Sequence, residues 1–265
     1  MTLGRPSAAR PFEGRCARRT PCRGTVGFNA TVLGDDLRAL LGDLIPRDHA
    51  RQTLADEYAA LCGGGRAWRV MDLGCGRGDS VDLFRAADPH VQWVGVDVAE
   101  SPEVAERTRT DATFVTFDGV HLPFGDETFD LVFCKQVLEH VERPAPLLAE
   151  VARTLRTGGL FAGSVSQLEA FHSRSTFGYT PYGLAVLLRD VGLELAEVRP
   201  GIDAFTLLAW RALGMPRFFA RWWARESPIN RAISLLGRLA HWDAQTVNTA
   251  KLVFAGQFCF LARKR

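Results

Sequence analysis

The sequence has no unbroken apolar run of the roughly 20 residues that a bilayer-spanning helix needs, so no such helix is expected. The first residues lack an apolar h-region, and no secretory signal is expected. The six cysteines form no C-x-x-C pair. Cys75 and Cys134 stand at the ends of apolar runs, where a thiol packs as core, so a reducing, cytoplasmic compartment without a disulfide framework is expected. Formal net charge is only +2 over 265 residues, which gives no whole-protein attraction to nucleic acid or anionic membrane. No nucleic acid partner is therefore expected.

What is present suits a full core: 47% of residues are hydrophobic and 23% charged. The length fits one large domain, or one domain with a substantial insertion. Residues 1–27 stand apart, with six arginines against the single acid Glu13 and little apolar periodicity. Such a segment cannot bury enough surface to offset its ordering entropy, and disorder is expected. The readings of it that stay open are a basic arm for an anionic partner, a dispensable extension, or a start codon assigned too early.

The domain proper is expected over 28–265. Over 35–61, Leu37, Leu40, Leu41, Leu44, Leu54, Tyr58 and Leu61 recur at helical spacing, and Pro46 divides the stretch into two helices. Strand-like runs follow at 68–73, 91–96, 113–117, 129–134, 159–165, 194–199 and 252–262. Helical stretches at 79–87, 102–109, 144–155 and 181–191 alternate with them. The alternation predicts an α/β fold: a Rossmann-like, doubly wound, mostly parallel seven-stranded sheet with its ligand at the carboxyl ends of the strands. A cofactor-binding core is expected at 66–166 and an acceptor-side region at 167–265, the latter with a helical insertion at 201–248 between strands six and seven. Within the insertion a helix at 215–225 is expected, with Met215, Phe218, Phe219, Trp222 and Trp223 on one side and Arg217, Arg221 and Arg225 on the other. A second helix is expected at Pro228, behind a Ser227 N-cap.

The most informative run is Val70-Met71-Asp72-Leu73-Gly74-Cys75-Gly76-Arg77-Gly78-Asp79-Ser80. Apolar residues lead into an acid, then alternate glycines, then a helix whose unpaired N–H groups face an anionic group. A dinucleotide fingerprint needs G-x-G-x-x-G, but here the third glycine comes one residue early and Asp79 takes its place. The pattern D-x-G-x-G-x-G resembles motif I of class I S-adenosylmethionine (SAM) methyltransferases. Val94-Gly95-Val96-Asp97, Phe117-Asp118-Gly119, Phe129 to Cys134, Val137-Leu138-Glu139-His140-Val141 and the run from Leu147 to Gly159 follow in the order that family shows. The series resembles the subgroup that includes ubiquinone, menaquinone, natural-product and glycan methyltransferases.

The resemblance implies SAM as cofactor. It implies that Asp72 and Gly74 hold the methionine amino end, that Gly76 and Gly78 allow close backbone approach, and that Asp97 takes the ribose hydroxyls. It implies Asp118 for the adenine amino group, Val98 and Gly119 on either side of adenine, and the Cys134 backbone near the sulfonium. His140 is the candidate general base for an oxygen acceptor, since a neutral imidazole accepts a proton near neutral pH. Some quinone-pathway relatives bind a divalent metal with an acid three residues before Glu139; here that residue is Gln136, a weaker ligand, and no essential metal is expected.

The hydroxyl- and aromatic-rich run from Phe171 to Tyr182 borders the expected crevice and offers His172, Arg174, Tyr179 and Tyr182 as acceptor-binding candidates. A small-molecule or glycan acceptor, methylated at oxygen, is the leading expectation. A SAM-binding scaffold and a methyltransferase acting on a macromolecule are the alternatives. No N-P-P-Y-type tetrapeptide follows the fourth strand, where Cys134-Lys135-Gln136-Val137 stands, and this argues against base-amine methylation of that style. The insertion is read as a cap or dimer contact, or else as a membrane-surface element.

Overall fold

The computed structural model of the chain describes residues 33–169 and 173–265. The expected basic extension at 1–27 and His172 lie outside the described residues.

Seven strands form one sheet: β1 (Arg69–Leu73), β2 (Gln92–Val98), β3 (Thr113–Phe117), β4 (Phe129–Lys135), β5 (Leu155–Ser166), β6 (Leu193–Pro200) and β7 (Gln257–Lys264). Their order is β3-β2-β1-β4-β5-β7-β6. The pairs among β1 to β5 are parallel, and β7 runs antiparallel between β5 and β6. The order reverses beside β1, so the glycine turn after β1 sits at the switch point where ligands bind in such sheets.

Strand periodicity divides the core into two layers. Along β4, Leu131 and Phe133 join one buried cluster while Val132 and Cys134 join the other; Val70 and Met71 divide likewise on β1. Successive side chains point to opposite faces, and both faces are covered. One cover comprises α1 (Asp35–Leu41), α4 (Pro144–Thr154) and α5 (Pro181–Asp190). The other comprises α2 (Ser80–Ala87) and a 3₁₀ segment, Ala55–Cys62. At the amino end of β4 the buried Asp130 carboxylate accepts the Arg69 N–H at 2.9 Å and pairs with Arg66 and Arg156. Burial pushes that carboxyl up, but these donors outweigh it and hold it below its ordinary value.

Several expected elements are corrected. The second amino-terminal helix is the 3₁₀ segment Ala55–Cys62, reached by an irregular, bending stretch past Pro46. The expected 102–109 helix is only α3 (Pro102–Ala105), because Arg107 turns back toward the glycine loop. The seventh strand begins at Gln257, not at 252, because Leu252 still belongs to α9 (Ala244–Val253).

The insertion also holds α6 (Ala204–Ala212), α7 (Arg221–Ala224) and α8 (Pro228–Leu239). The expected 215–225 helix is broken into a 3₁₀ turn, Arg217–Ala220, and α7, after Met215 takes a left-handed φ of 57°. Its aromatics are therefore divided: Phe219 is buried, Phe218 faces solvent, and Trp223 packs edge-on to Trp210 at 4.9 Å. Ser227 precedes α8 as expected, but its side chain makes no capping bond. Gln52 receives that turn instead, accepting from Ser227 N (3.2 Å) and Asn230 Nδ2 (2.8 Å) and donating to the Trp222 carbonyl (2.8 Å).

Lys251, fully buried on α9, completes this anchor by bonding Glu226 and the Ala50 carbonyl. Burial lowers its affinity for a proton, and Glu226 opposes that shift. A buried ammonium deprived of its counter-charge costs about 3–5 kcal/mol. Glu226→Ala should therefore lower the urea midpoint strongly, and the double change Glu226→Leu with Lys251→Met should recover most of the loss. Equal midpoints for wild type and Glu226→Ala would show that the pair holds nothing.

Candidate functional site

The site is built on the turn leaving β1. The Val96 carbonyl of β2 accepts two N–H groups of that turn, Gly74 at 2.7 Å and Cys75 at 3.2 Å. The Asp97 carboxylate accepts Gly76 N at 2.7 Å and Val98 N at 2.8 Å. The backbone can enter this arrangement only through left-handed residues: φ is 73° at Gly74 and 50° at Gly76. At Gly74 a Cβ would also lie 2.3 Å from Val137 Cγ2, so the loop is pressed against the segment leaving β4. The loop then feeds α2.

Asp72 and Asp97 flank the loop from neighbouring strands. Asp72 is buried, and its Oδ2 accepts the Ser80 hydroxyl at 2.5 Å. Ser80 in turn accepts Trp93 Nε1 at 2.9 Å. Burial drives the Asp72 carboxyl up to about 7; the Ser80 bond opposes the rise and the Asp97 charge adds to it. Two carboxylates beside a glycine turn suit a ligand with an ammonium, a sulfonium and ribose hydroxyls, so this donor set fits SAM.

The other expected cofactor residues gather at the same sheet edge. Val98 ends β2 and Asp118-Gly119 follows β3; a Cβ on Gly119 would meet Val98 Cγ1 at 3.7 Å, an ordinary contact distance, so the two residues are neighbours there. Asp118 is already engaged locally: its carboxylate accepts Val120 N (2.8 Å) and His121 N (2.6 Å) and meets His121 Nδ1 at 2.7 Å. The His121 side-chain bond, with these two N–H donors, holds that carboxyl well below its ordinary value. Cys134 is buried near the end of β4, and its thiol is pushed far up by burial.

Beyond β4, Gln136 takes a left-handed φ of 56°, and a 3₁₀ turn, Leu138–His140, follows. His140 is half-buried there. The segment after β5 closes on this turn. Thr176 N and Phe177 N donate to the Glu139 carbonyl at 2.6 and 3.2 Å, and the Tyr179 hydroxyl donates to the Leu138 carbonyl at 3.0 Å. Tyr179, expected at the acceptor surface, is instead a core residue, because its ring and hydroxyl are both consumed in bracing the turn. Arg174 and Tyr182 are exposed.

Two groups escaped the sequence. Arg107 donates to the Gly76 carbonyl through Nε (2.9 Å) and Nη2 (2.6 Å) and stacks on Phe114 at 4.0 Å, locking the loop from the side of β3. No spacing marks it. The other is a polar cluster at the β5 tip. Ser166 Oγ lies 3.0 Å from both Glu139 Oε1 and Glu169 Oε2, and Glu169 also meets Gln257 (2.8 Å) and Arg211 of α6 (3.1 Å). The Gln136 amide spans Ser164 and Ser166 at 3.0 and 3.1 Å. Polar residues two apart at the end of an apolar strand, Ser164 and Ser166, were the available signal.

The raised Asp72 carboxyl has a measurable consequence. An unfolded Asp ionises near about 3.9, so between there and about 7 the folded state keeps a proton that the unfolded state has lost. This group's contribution to stability must then fall as pH rises through that window. Urea unfolding at about pH 5 and about pH 8 should show wild type losing more stability than Asp72→Asn. Parallel profiles would mean that burial does not raise this carboxyl.

The methyltransferase-domain family profile matches residues 71–163, which run from within β1 into β5. An uncharacterized methyltransferase of Mycobacterium avium (strain 104) is 32% identical over 224 residues, covering 76% of this chain and 81% of that one. The ubiquinone biosynthesis O-methyltransferase of Hahella chejuensis (strain KCTC 2396) is 29% identical over 167 residues, or 60% of this chain and 66% of that one. Among solved structures, the [4+2]-cyclase SpnF superposes with a TM-score of 0.52 at 20% identity, covering 86% of this chain and 90% of that one, which is a likeness of fold. The seven-stranded order, the glycine turn and these relatives agree: the chain belongs to the class I SAM-dependent methyltransferases, with S-adenosyl-L-methionine as its cofactor.

Proposed function

We propose that this enzyme methylates an oxygen of a small-molecule or glycan acceptor, with His140 taking the acceptor proton. The observation that carries this reading is the bracing of the His140 turn. Tyr179, Thr176 and Phe177 fix its carbonyls, and the turn follows β4 at the same sheet edge as the glycine loop. A methyl on a sulfonium is already activated, so the protein's contribution is alignment of the nucleophile and removal of its proton. His140 can supply the second, and the segment around Arg174 and Tyr182 offers a cation and an aromatic hydroxyl for orienting a polyhydroxylated acceptor. The likeness to a ubiquinone biosynthesis O-methyltransferase supports oxygen as the atom methylated.

For the cofactor we assign Asp97 to the ribose hydroxyls and Asp72 and Gly74 to the methionine amino end, with Gly76 and Gly78 allowing close backbone approach. Val98, Asp118 and Gly119 lie about the adenine, and Cys134 near the sulfonium. Asp97 has a double task in this assignment, since the same carboxylate holds Gly76 N.

Asp97→Ala should weaken SAM binding by about 1–3 kcal/mol in calorimetry, through lost charge-assisted bonds. Unchanged affinity would remove Asp97 from the cofactor site. His140→Ala, assayed by release of the demethylated cofactor across a panel of phenols, alcohols and sugars, should lower kcat roughly a hundredfold and leave SAM affinity intact. The deficit should shrink for a phenol already ionised at the assay pH. Near-normal turnover in the variant would return His140 to a packing role. Cofactor binding with no turnover on any acceptor would favour a scaffold.

A further inference from the structure

The solvent side of the insertion departs from what a surface helix normally shows. On α6 the exposed positions include Phe205, Leu208, Ala209 and Ala212, and on α8 they include Ala232, Leu235, Leu236 and Leu239. Both sets have the spacing i, i+3, i+4, i+7 and so form apolar stripes along each helix. A surface helix ordinarily turns its apolar stripe inward and its polar residues to water. Here the inward positions are already filled by Thr206 and Leu207 on α6 and by Asn230, Ile233 and Gly237 on α8. Leu213, Met215 and Phe218, each more than half exposed, add apolar side chains to the connection that follows α6.

The charge on this region has one sign. From Ala204 to Arg225 the chain carries Arg211, Arg217, Arg221 and Arg225 and no acid; α8 adds Arg231 and Arg238 and again no acid. The neighbouring acids are committed elsewhere. Asp203 is buried and caps α6 through Thr206 N at 2.7 Å, Glu226 pairs with Lys251, and Asp243 caps α9 through Thr246 N and meets Arg38 at 3.5 Å. Glu169 takes Arg211. Arg221 and Arg231 lean on the Trp222 ring at 4.6 and 5.0 Å.

Apolar stripes among unbalanced arginines would not match a second copy of themselves, since a twofold contact sets the same cationic patch on both sides. A layer of phosphodiester headgroups over hydrocarbon matches both features at once. The small net charge of the whole chain is no obstacle, because such attraction acts only within a Debye length, about 8–10 Å at ordinary salt.

We propose that the α6–α8 face docks on the surface of an anionic phospholipid bilayer, leucines and phenylalanines entering the headgroup boundary and arginines meeting the phosphates. No helix among the described residues is long and apolar enough to cross the bilayer, so the contact is peripheral. The Arg211–Glu169 pair ties α6 to the β5 tip, so docking brings the lipid surface beside the acceptor side of the sheet.

The test uses the full chain sedimented with vesicles of equal phosphatidylglycerol and phosphatidylcholine, against pure phosphatidylcholine, at low salt and at about 0.5 M salt. Wild type should partition at least about tenfold more onto the anionic vesicles at low salt and lose that advantage at high salt. Arg217→Glu with Arg221→Glu, and separately Leu235→Asp with Leu239→Asp, should each reduce low-salt partitioning about tenfold. Unaltered SAM affinity in calorimetry confirms that each variant folds. Wild type remaining in the supernatant, or binding that survives both variants, overturns the proposal. So does a dimer in light scattering that the leucine variant splits, because a second copy would then cover the face. None of these readouts depends on the acceptor or on turnover.

Discussion

The Val96 carbonyl is the atom on which the site turns. By accepting the N–H of both Gly74 and Cys75 it fastens the end of β1 to the end of β2, and the adjacent Asp97 carboxylate extends the fastening to Gly76. Three successive backbone donors are thus satisfied by one neighbouring strand, and the chain must reverse within a few residues to allow it. That requirement sets the left-handed glycines, the proximity of Val137 to Gly74 and the direction in which α2 departs. Arg107 closes the loop from the other side at the Gly76 carbonyl. The loop is therefore held by protein contacts before any ligand arrives, as preorganised binding requires.

The two ends of the sheet use charge differently. At the amino end of β4 the buried Asp130 is surrounded by arginines and a backbone N–H, and stays ionised as a structural tie. At the carboxyl end, Asp72 is buried near another carboxylate and accepts the Ser80 hydroxyl, and burial raises its proton affinity. The same residue type is held ionised in one place and keeps its proton to higher pH in the other, because the neighbours differ. The insertion follows a third pattern. Its inner side is anchored by the Gln52 and Lys251 networks, which satisfy buried polar groups, while its outer side keeps apolar stripes and arginines.

Much of the strand plan was legible because the strands are short, mostly apolar runs bounded by turns. Thr113–Phe117 matches its expected limits, and β1, β2 and β6 differ by one or two residues at an end. Helix limits were read less well where long-range contacts intervene. Arg107 ends α3 early by bonding across to the glycine loop, and Leu252 was assigned to a strand because its apolar run ignores the helix that Asp243 caps. Tyr179 looked like a crevice residue from its polar, aromatic neighbours, yet its hydroxyl finds the Leu138 carbonyl, a partner 41 positions away.

The sequence by itself determined the α/β class and the glycine turn, because these rest on local spacing: short apolar runs alternating with helical stretches, and alternate glycines after a strand; the acids at 72, 97 and 118 were singled out through the family resemblance. Only the tertiary structure decided which of those groups meet. It placed Asp97 on the Gly76 amide, Arg107 on the Gly76 carbonyl, Glu169 between Ser166 and Arg211, and the leucines of α8 outside rather than inside. The physical reason is that these contacts join residues far apart in the chain. Their partners are selected by sheet order and helix packing, which no local pattern encodes.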